Sequence, residues 1–386
     1  MEAYLDYNAT SPLDPRVAEA MGPYLAGEFG NASSFHKKGQ SARHGVESAR
    51  EGLADYLSVE PGDIFFTSGG TEADNLAVKG AVAAQLENGR DHLLVSTIEH
   101  QAVLYPAKHL EKNGVKVTYA GVTPDGMVDL GALKEALSKK TALVSVMHVN
   151  NETGVIQPIQ EIADLAHQEG ALFHTDAVQS FGKIPIQIED WGIDLLSVSG
   201  HKICGPKGIG ALFVRKGLKI KAMVHGGHQE KNIRPGTENV AAIAGFGRAV
   251  DLLLDKDHEK EISRVRSLRD RLERGLLQSI EGVRLNGHGD KRVYNTSNLS
   301  FQGLDGETLL VNLDLKNIYV STGSACTAGS IDPSHVLLAM GFSDHMARSA
   351  IRFSLGRFTQ DQEVAYALEE IPKIIKQLRK TSTQCS

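Results

Sequence analysis

Six short apolar runs recur between about residues 60 and 215, separated by helix-like segments: IFFTSG, HLLVSTIEH, TALVSVMHVNNETG, ALFHTDAVQ, DLLSVSGHK and GALFVRK. Runs of this length alternating with helical stretches predict an α/β fold, a largely parallel sheet covered by helices on both faces. Five of the six end in polar residues: 68–71, Glu99 with His100, 150–152, Asp176 with Gln179, and 199–202. In open α/β sheets ligands bind beyond the carboxyl ends of the strands, so five such clusters converge on one crevice.

Within the fifth cluster Lys202 follows an apolar run and a Ser-Gly-His turn, and precedes the glycine-rich GPKGIG. Burial or cationic neighbours disfavour the charged form of an amine, which lets it attack a carbonyl. Lys202 is therefore a Schiff-base candidate. Asp176 ends the neighbouring apolar run, and a carboxylate there suits the protonated ring nitrogen of pyridoxal phosphate, whose electron-sink chemistry needs such a partner. Taken singly, the two also read as a surface lysine and a capping aspartate.

A chain of 386 residues exceeds the usual size of one core, so two domains are expected. A net charge of -6, with basic and acidic residues interspersed, gives no electrostatic basis for binding nucleic acid. The N-terminus MEAYLDYNATSPLD has neither the basic nor the apolar region of a secretory signal, and no apolar run approaches membrane-spanning length. Cytoplasmic residence without membrane attachment is the expectation. Cys204, Cys326 and Cys385 are too few and too scattered for a disulfide framework or a zinc site. No resident metal is expected.

Residues 252–280 are densely charged with apolar positions at helical spacing, and predict a long helix leading into a second domain. Beyond it NTSNLSF, NIYVSTG and IRFSLG are strand candidates of a smaller α+β unit, which the first dozen residues join. The expected division is 14–256 for the large domain, and 1–13 with 257–386 for the small one.

Several motifs carry chemistry of their own. TSGGTEADN puts small residues before a helix starting near Thr71, either a phosphate cradle of free amides or a capping box from Thr71 to Asp74. Ser199 and His201 offer further phosphate donors. His100 suits ring stacking or proton transfer, and equally a hydrogen-bonded structural role. Asn151 and Gln179 are donors to a cofactor oxygen or a substrate carboxylate, or ordinary turn residues. Cys326 lies in the polar, glycine-rich STGSACTAGSIDPSHVL, where packing poorly explains a thiol and nucleophilic chemistry explains it better. Cys204 reads as buried structure and Cys385 as a tail thiol. Arg352 is the candidate for a bidentate grip on a carboxylate, with Arg348 and Arg357 as competitors.

As a set, LDYNAT, GNASSFH, TSGGTEADN, EHQAV, HVNNETG, HTDAVQ, SGHKICGPKGIG, RPGTEN, STGSACT and IRFSLGRFT resemble the cysteine desulfurases of the NifS/IscS type. These enzymes share the class V aminotransferase fold of pyridoxal phosphate proteins, and the segments run in order over essentially the whole chain. The resemblance implies a PLP-dependent transferase of fold type I, with a mainly parallel seven-stranded sheet in its large domain. It implies that Lys202 carries the cofactor, Asp176 pairs with the pyridine nitrogen, Gln179 bonds the phenolic oxygen, and His100 stacks on the ring and assists proton transfer. Asn151 would help hold cofactor or substrate, and Arg352 would bind the substrate carboxylate. Gly70, Thr71, Ser199 and His201 would hold the phosphate with Thr237, which reaches across from the neighbouring subunit and so implies a homodimer. Cys326 would take sulfur from L-cysteine as a persulfide, leaving alanine, and pass it to an iron-sulfur scaffold or another acceptor protein; the same thiol offers a ligand to a transferred cluster. A selenocysteine lyase or a class V aminotransferase is the alternative on the same scaffold, and a non-catalytic assembly scaffold the alternative from another class.

Overall fold

The structure, a computed structural model, describes residues 1–322 and 332–384 of the chain. The chain opens with strand β1 (Ala3–Tyr4) and helices α1 (Pro15–Ala26) and α2 (Lys37–Leu57). A β/α succession follows: β2 (Ile64–Thr67), α3 (Gly70–Leu86), β3 (His92–Ser96), α4 (Gln101–Lys112), β4 (Lys116–Ala120), α5 (Leu130–Ala136), β5 (Thr141–Ser145) and α6 (Ile159–Gln168). Strands β6 (Leu172–Asp176), β7 (Leu195–Ser199) and β8 (Gly210–Val214) complete one seven-stranded sheet in the order β2-β8-β7-β6-β5-β3-β4.

From β7 through β6, β5 and β3 to β4 every pairing is parallel, whereas β8 runs against both β7 and β2. All positions of β2, β3, β5, β7 and β8 are buried, which is why these strands read as unbroken apolar runs. Cores lie on both faces of the sheet: Phe173, Phe181 and Phe246 belong to one, Val78, Val103 and Leu212 to the other. Because β2, β3, β5, β6 and β7 point the same way, their carboxyl ends share one edge of the sheet. The start of β8 joins that edge, with Gly210 opposite both Thr67 and Ser199.

Helix α7 (Val240–Asp251) packs back on α1 and α2, and α8 (His258–Ser279) leads to the rest of the chain. The long helix expected over 252–280 thus begins later, at His258. Leu252 and Leu253 are buried in the core that α7 closes, which ends one helix before Glu259 and Glu261 open the next at the favourable end of its dipole.

Strands β9 (Val283–Leu285) and β10 (Thr296–Phe301), helix α9 (Gly306–Asp314), strand β11 (Ile318–Tyr319), helices α10 (His335–Ala339) and α11 (Asp344–Arg348), strand β12 (Ala350–Ser354) and helix α12 (Asp361–Gln384) complete the chain. β12, β10 and β9 form an antiparallel sheet, and β1 pairs in parallel with β11. A separate core gathers Leu5, Leu268, Leu276, Phe301, Phe353 and Ile371, so the first residues of the chain pack with its last third. Among the described residues no helix is long and apolar enough to cross a membrane.

Candidate active site

After β2 the chain turns through Ser68 and Gly69 into α3. Gly69 has φ 149°, a conformation costly for any residue with a Cβ, and as the helix N-cap it brings no side chain to satisfy the first amides. Those amides, with the dipole of the helix behind them, form an anion cradle. The alternative capping box does not form: Glu72 reaches back to the Ser68 N–H at 2.6 Å, and Asp74 is buried. A side chain at Gly70 would meet Val178 Cγ2 at 2.8 Å and Ser199 Cβ at 3.6 Å, so the loops after β2, β6 and β7 touch here. A side chain at Gly210 would collide with the Gly69 carbonyl carbon at 2.7 Å. Gly70 and Ser199, with their neighbours Thr71 and His201, therefore share one corner. The His201 ring lies 3.1 Å from Thr10 Oγ1; burial, then the charges of Lys202 and Lys207, lower its pKa to about 4, so it is neutral near pH 7.

Lys202 closes the single helical turn that follows β7. Its Nζ donates to the backbone carbonyls of Asn8 at 2.5 Å and Ala9 at 2.7 Å.

Asp176 ends β6, buried, with Oδ1 accepting the Val178 N–H at 2.8 Å. Burial pushes its pKa up, and nearby His100, the Val178 bond and Lys202 draw it only part of the way back. Asp74 on α3 is pushed well above the usual range by burial and by the charge of Asp176. Since Lys202 and His100 face Asp176, Asp176 carries the negative charge of this pair and Asp74 the proton. His174 lies between Ser145 Oγ at 2.8 Å and Ser197 Oγ at 3.0 Å, and its burial lowers its pKa to about 3.

His100 is the N-cap of α4: Nδ1 accepts the Ala102 N–H at 3.1 Å, which assigns the proton of the neutral ring to Nε2. The two asparagines of VNNET divide the roles that the sequence left open. Asn150 is fully buried, its Oδ1 accepting the Glu152 and Thr153 N–H groups and its Nδ2 donating to Ile98 O at 3.0 Å. Asn151 uses only its backbone carbonyl, which accepts from Arg352 at 3.0 Å and Asn8 at 3.2 Å; its amide side chain has no hydrogen bond among the described residues.

Arg352, in the middle of β12, is buried; Nη2 pairs with Asp6 at 2.8 Å, and Nε has no hydrogen-bond partner among the described residues. Its competitors have other partners: Arg357 bonds Asp14 and Glu261, and Arg348 pairs with Asp344 on the surface. Cys204 is buried. Cys326 and Cys385 lie outside the described residues. Both flanks of the segment that carries Cys326 are tied to this edge: Ser321 exchanges backbone bonds with Arg352, Ser334 Oγ donates to Glu152 at 2.5 Å, and His335 Nε2 lies 3.0 Å from Glu99 O. Thr237 is exposed and makes no hydrogen bond among the described residues, while Arg234 of the same segment pairs with Glu72 of α3 at 2.9 Å.

Three residues that sequence reasoning passed over organise this site. Asn8 O accepts from both Lys202 and Gln179 Nε2, and its side chain reaches Thr296, Asn295 and the Asn151 carbonyl. Asp6 holds Arg352. Lys183 is buried, its Nζ donating to Gln179 Oε1 at 2.8 Å. A lysine inside the apolar stretch FGKIPI was the available signal for the last; Asp6 and Asn8 lie in the LDYNAT segment of the resemblance, which assigned neither a role.

The aminotransferase class-V family model matches residues 3–366. The chain is 47% identical to cysteine desulfurase IscS of Dictyoglomus turgidum over 381 residues, 99% of this chain and 96% of that one. The chain belongs to the class-V aminotransferases, among their cysteine desulfurases. A solved NifS-like protein superposes with a TM-score of 0.91 at 37% identity, covering 98% of this chain and all of that one. A structure described as SspA in complex with cysteine superposes with a TM-score of 0.82 at 37% identity over 93% of this chain and all of that one.

The cofactor of this family is pyridoxal 5′-phosphate, and the desulfurase fold found here fits it. The amide cradle at Gly69 suits its phosphate. Asp176, buried and without a salt-bridge partner among the described residues, suits a cation such as the protonated pyridine nitrogen. Lys202, whose Nζ is held at this edge by the Asn8 and Ala9 carbonyls, suits covalent attachment.

Proposed function

We propose that this desulfurase moves the sulfur of L-cysteine onto Cys326 as a persulfide, releases L-alanine, and hands the sulfur to an acceptor protein for iron-sulfur cluster assembly. The observation that carries the reading is the anchoring of both flanks of the Cys326 segment at the crevice, through Arg352, Glu152 and Glu99. The neighbour solved with cysteine supports the substrate.

Bound pyridoxal phosphate supplies an electron sink for the pair left on the substrate Cα. Asp176 holds the negative charge that keeps the ring nitrogen protonated. The amides of Gly70 and Thr71, with Ser199 and His201, hold the phosphate; Gln179 and Asn151 bond the oxygens of cofactor or substrate. Arg352 orients the substrate carboxylate, and its orphaned Nε is the donor still to be satisfied. Lys202 takes the Cα proton, and the Nε2 proton of His100 serves the later transfers. The Cys326 thiolate attacks the substrate sulfur: the carbon–sulfur bond breaks, a sulfur–sulfur bond forms, and the electron pair left on carbon takes up a proton to give alanine.

A homodimer supplying Thr237 across its interface belongs to the same reading. It is supported by exposed Phe29 and Phe35, apolar surface that a partner would cover. The separate core around Leu268 and Phe353 supports division into domains 14–256 and 1–13 with 257–386. Cytoplasmic residence completes the proposal. The test is incubation with L-cysteine and peptide mass analysis: one added sulfur on Cys326 with stoichiometric alanine is expected. Cys326→Ser should keep cofactor absorbance and lose sulfur transfer, and undiminished transfer in that variant would remove the nucleophile from Cys326.

A further inference from the structure

Lys183 takes no part in the mechanism just described, yet it is a buried amine beside Lys202. Its Nζ donates to Gln179 Oε1 at 2.8 Å and lies 3.5 Å from Asn8 Oδ1. No carboxylate pairs with it among the described residues. Lys183 and Lys202 line one small cavity of about 40 Å³, and the only acid on that wall among the described residues, Glu261, is paired with Arg357 at 2.8 Å. The other titratable groups there are Tyr7, Tyr294, His258 and Cys204. An amine of this kind is expensive to bury for packing alone, since methionine or leucine would fill the same space without desolvation.

The bond to Gln179 supplies the reason. A glutamine amide has one accepting and one donating end, whereas a lysine only donates. With Lys183 on Oε1, the NH2 group is fixed at the other end, where it donates to Asn8 O at 2.9 Å, the carbonyl that also holds Lys202. A second amide hydrogen remains on that side.

We propose that Lys183 is a positioning residue of the cofactor site: it locks the side-chain amide of Gln179 so that the NH2 group, and not the carbonyl oxygen, faces the phenolic oxygen of the cofactor. The proposal rests on the reading of Gln179 as donor to that oxygen. Without the lock the amide can turn over and set its oxygen against the cofactor oxygen, exchanging a hydrogen bond for a repulsion. The surroundings suit an amine that loses its proton easily: burial, then Lys202 and Arg352, lower the pKa of Lys183 to about 7. Either protonation state still donates to Oε1, so the lock holds through neutral pH.

The experiment is a pH titration of the visible absorbance of the cofactor linked to Lys202, in the holoenzyme and in Lys183→Met, Gln179→Leu and their double variant. Loss of a donor to the phenolic oxygen destabilises the deprotonated linkage, so Lys183→Met should raise the midpoint by about one pH unit, about tenfold in the proton equilibrium. Gln179→Leu should raise it at least as much, and the double variant should match Gln179→Leu alone. Lys183→Gln keeps a donor without a charge and should restore most of the wild-type midpoint; it also serves if the methionine variant folds poorly. A shift with Gln179→Leu and none with Lys183→Met overturns the role of Lys183 and leaves that of Gln179. No shift with Gln179→Leu overturns the Gln179 reading itself. Additive shifts in the double variant overturn the lock, because Lys183 would then act by charge alone.

Discussion

Buried carboxylates are treated in opposite ways in two regions of this molecule. Behind the carboxyl edge of the seven-stranded sheet, Glu99, Asp74 and Asp176 form no ion pair with a lysine or arginine among the described residues, and burial drives all three pKa values up, that of Glu99 to about 8. Around the three-stranded sheet the carboxylates are held by arginines. Glu273 binds Arg292 through two bonds of 2.7 and 2.9 Å, and although burial alone would raise its pKa, the Arg292 bonds and charge carry it below the usual value. An acid clamped by arginine is finished structure. An acid kept without a cation in a dry crevice is stored potential, and a cationic cofactor ring is what such a site is made to receive.

The largest expected effect follows from that contrast. Asp176→Asn keeps the shape and removes the charge, so kcat should fall about a thousandfold or more, with cofactor still bound and the protein folded. Steady-state alanine production together with cofactor absorbance measures it. Next in size, Arg292→Ala leaves Glu273 buried and unpaired, which should cost about 3 kcal/mol of stability. Urea unfolding of the variant checks it, and activity per folded molecule should remain within about twofold. If Arg292→Ala acted on kcat and spared stability, the division between clamped and waiting acids would fail.

That division also explains what the sequence disclosed. Five strand ends were legible because parallel strands buried on both faces are apolar throughout and then turn polar where the site begins. Strand β4 escaped notice because it is an edge strand, half-exposed and mixed in composition as KVTYA. The reversed direction of β8 was equally hidden: the turn from Gly200 to Ile209 is short enough for a hairpin, but no residue in GALFVRK marks its orientation. Arg352 stood out by charge alone, and only the fold separated it from Arg348 and Arg357. Asn8 could not be found by periodicity, since it belongs to no helix or strand and acts through a carbonyl that any residue possesses.

Opposite pH slopes are the next consequence. Glu99 is protonated in the fold up to about pH 8, whereas its unfolded counterpart ionises near 4.5. Its stabilising contribution is therefore full below about pH 4.5 and is lost as pH rises through about 8. Glu273 is depressed, so its contribution is present above 4.5 and lost as pH falls below it. Each slope is limited to about 1.4 kcal/mol per pH unit, one proton per group. Melting of the cofactor-free protein from pH 5 to 8 should show the decline, and Glu99→Gln should flatten it while leaving the acid limb intact. An unchanged decline in Glu99→Gln would mean that Glu99 is not the buried proton.

The smallest effect tests the same rule on neutral groups, inside one dipeptide. Asn150 is satisfied at both ends of its amide, and Asn150→Ala strands the Ile98 carbonyl and the Glu152 and Thr153 amides in the interior, a loss of about 2 kcal/mol of stability. Asn151 has no such bonds to lose, so Asn151→Ala should change stability by less than about 0.5 kcal/mol. Its effect should appear instead in kcat/KM for L-cysteine, about five- to tenfold lower, the worth of one hydrogen bond made only to cofactor or substrate. Thermal melting set beside steady-state kinetics separates the two. Equal destabilisation by both alanines would show that an unpaired polar side chain at this edge is no sign of function, and the reading of Asn151, and with it of the Arg352 Nε, would have to be given up.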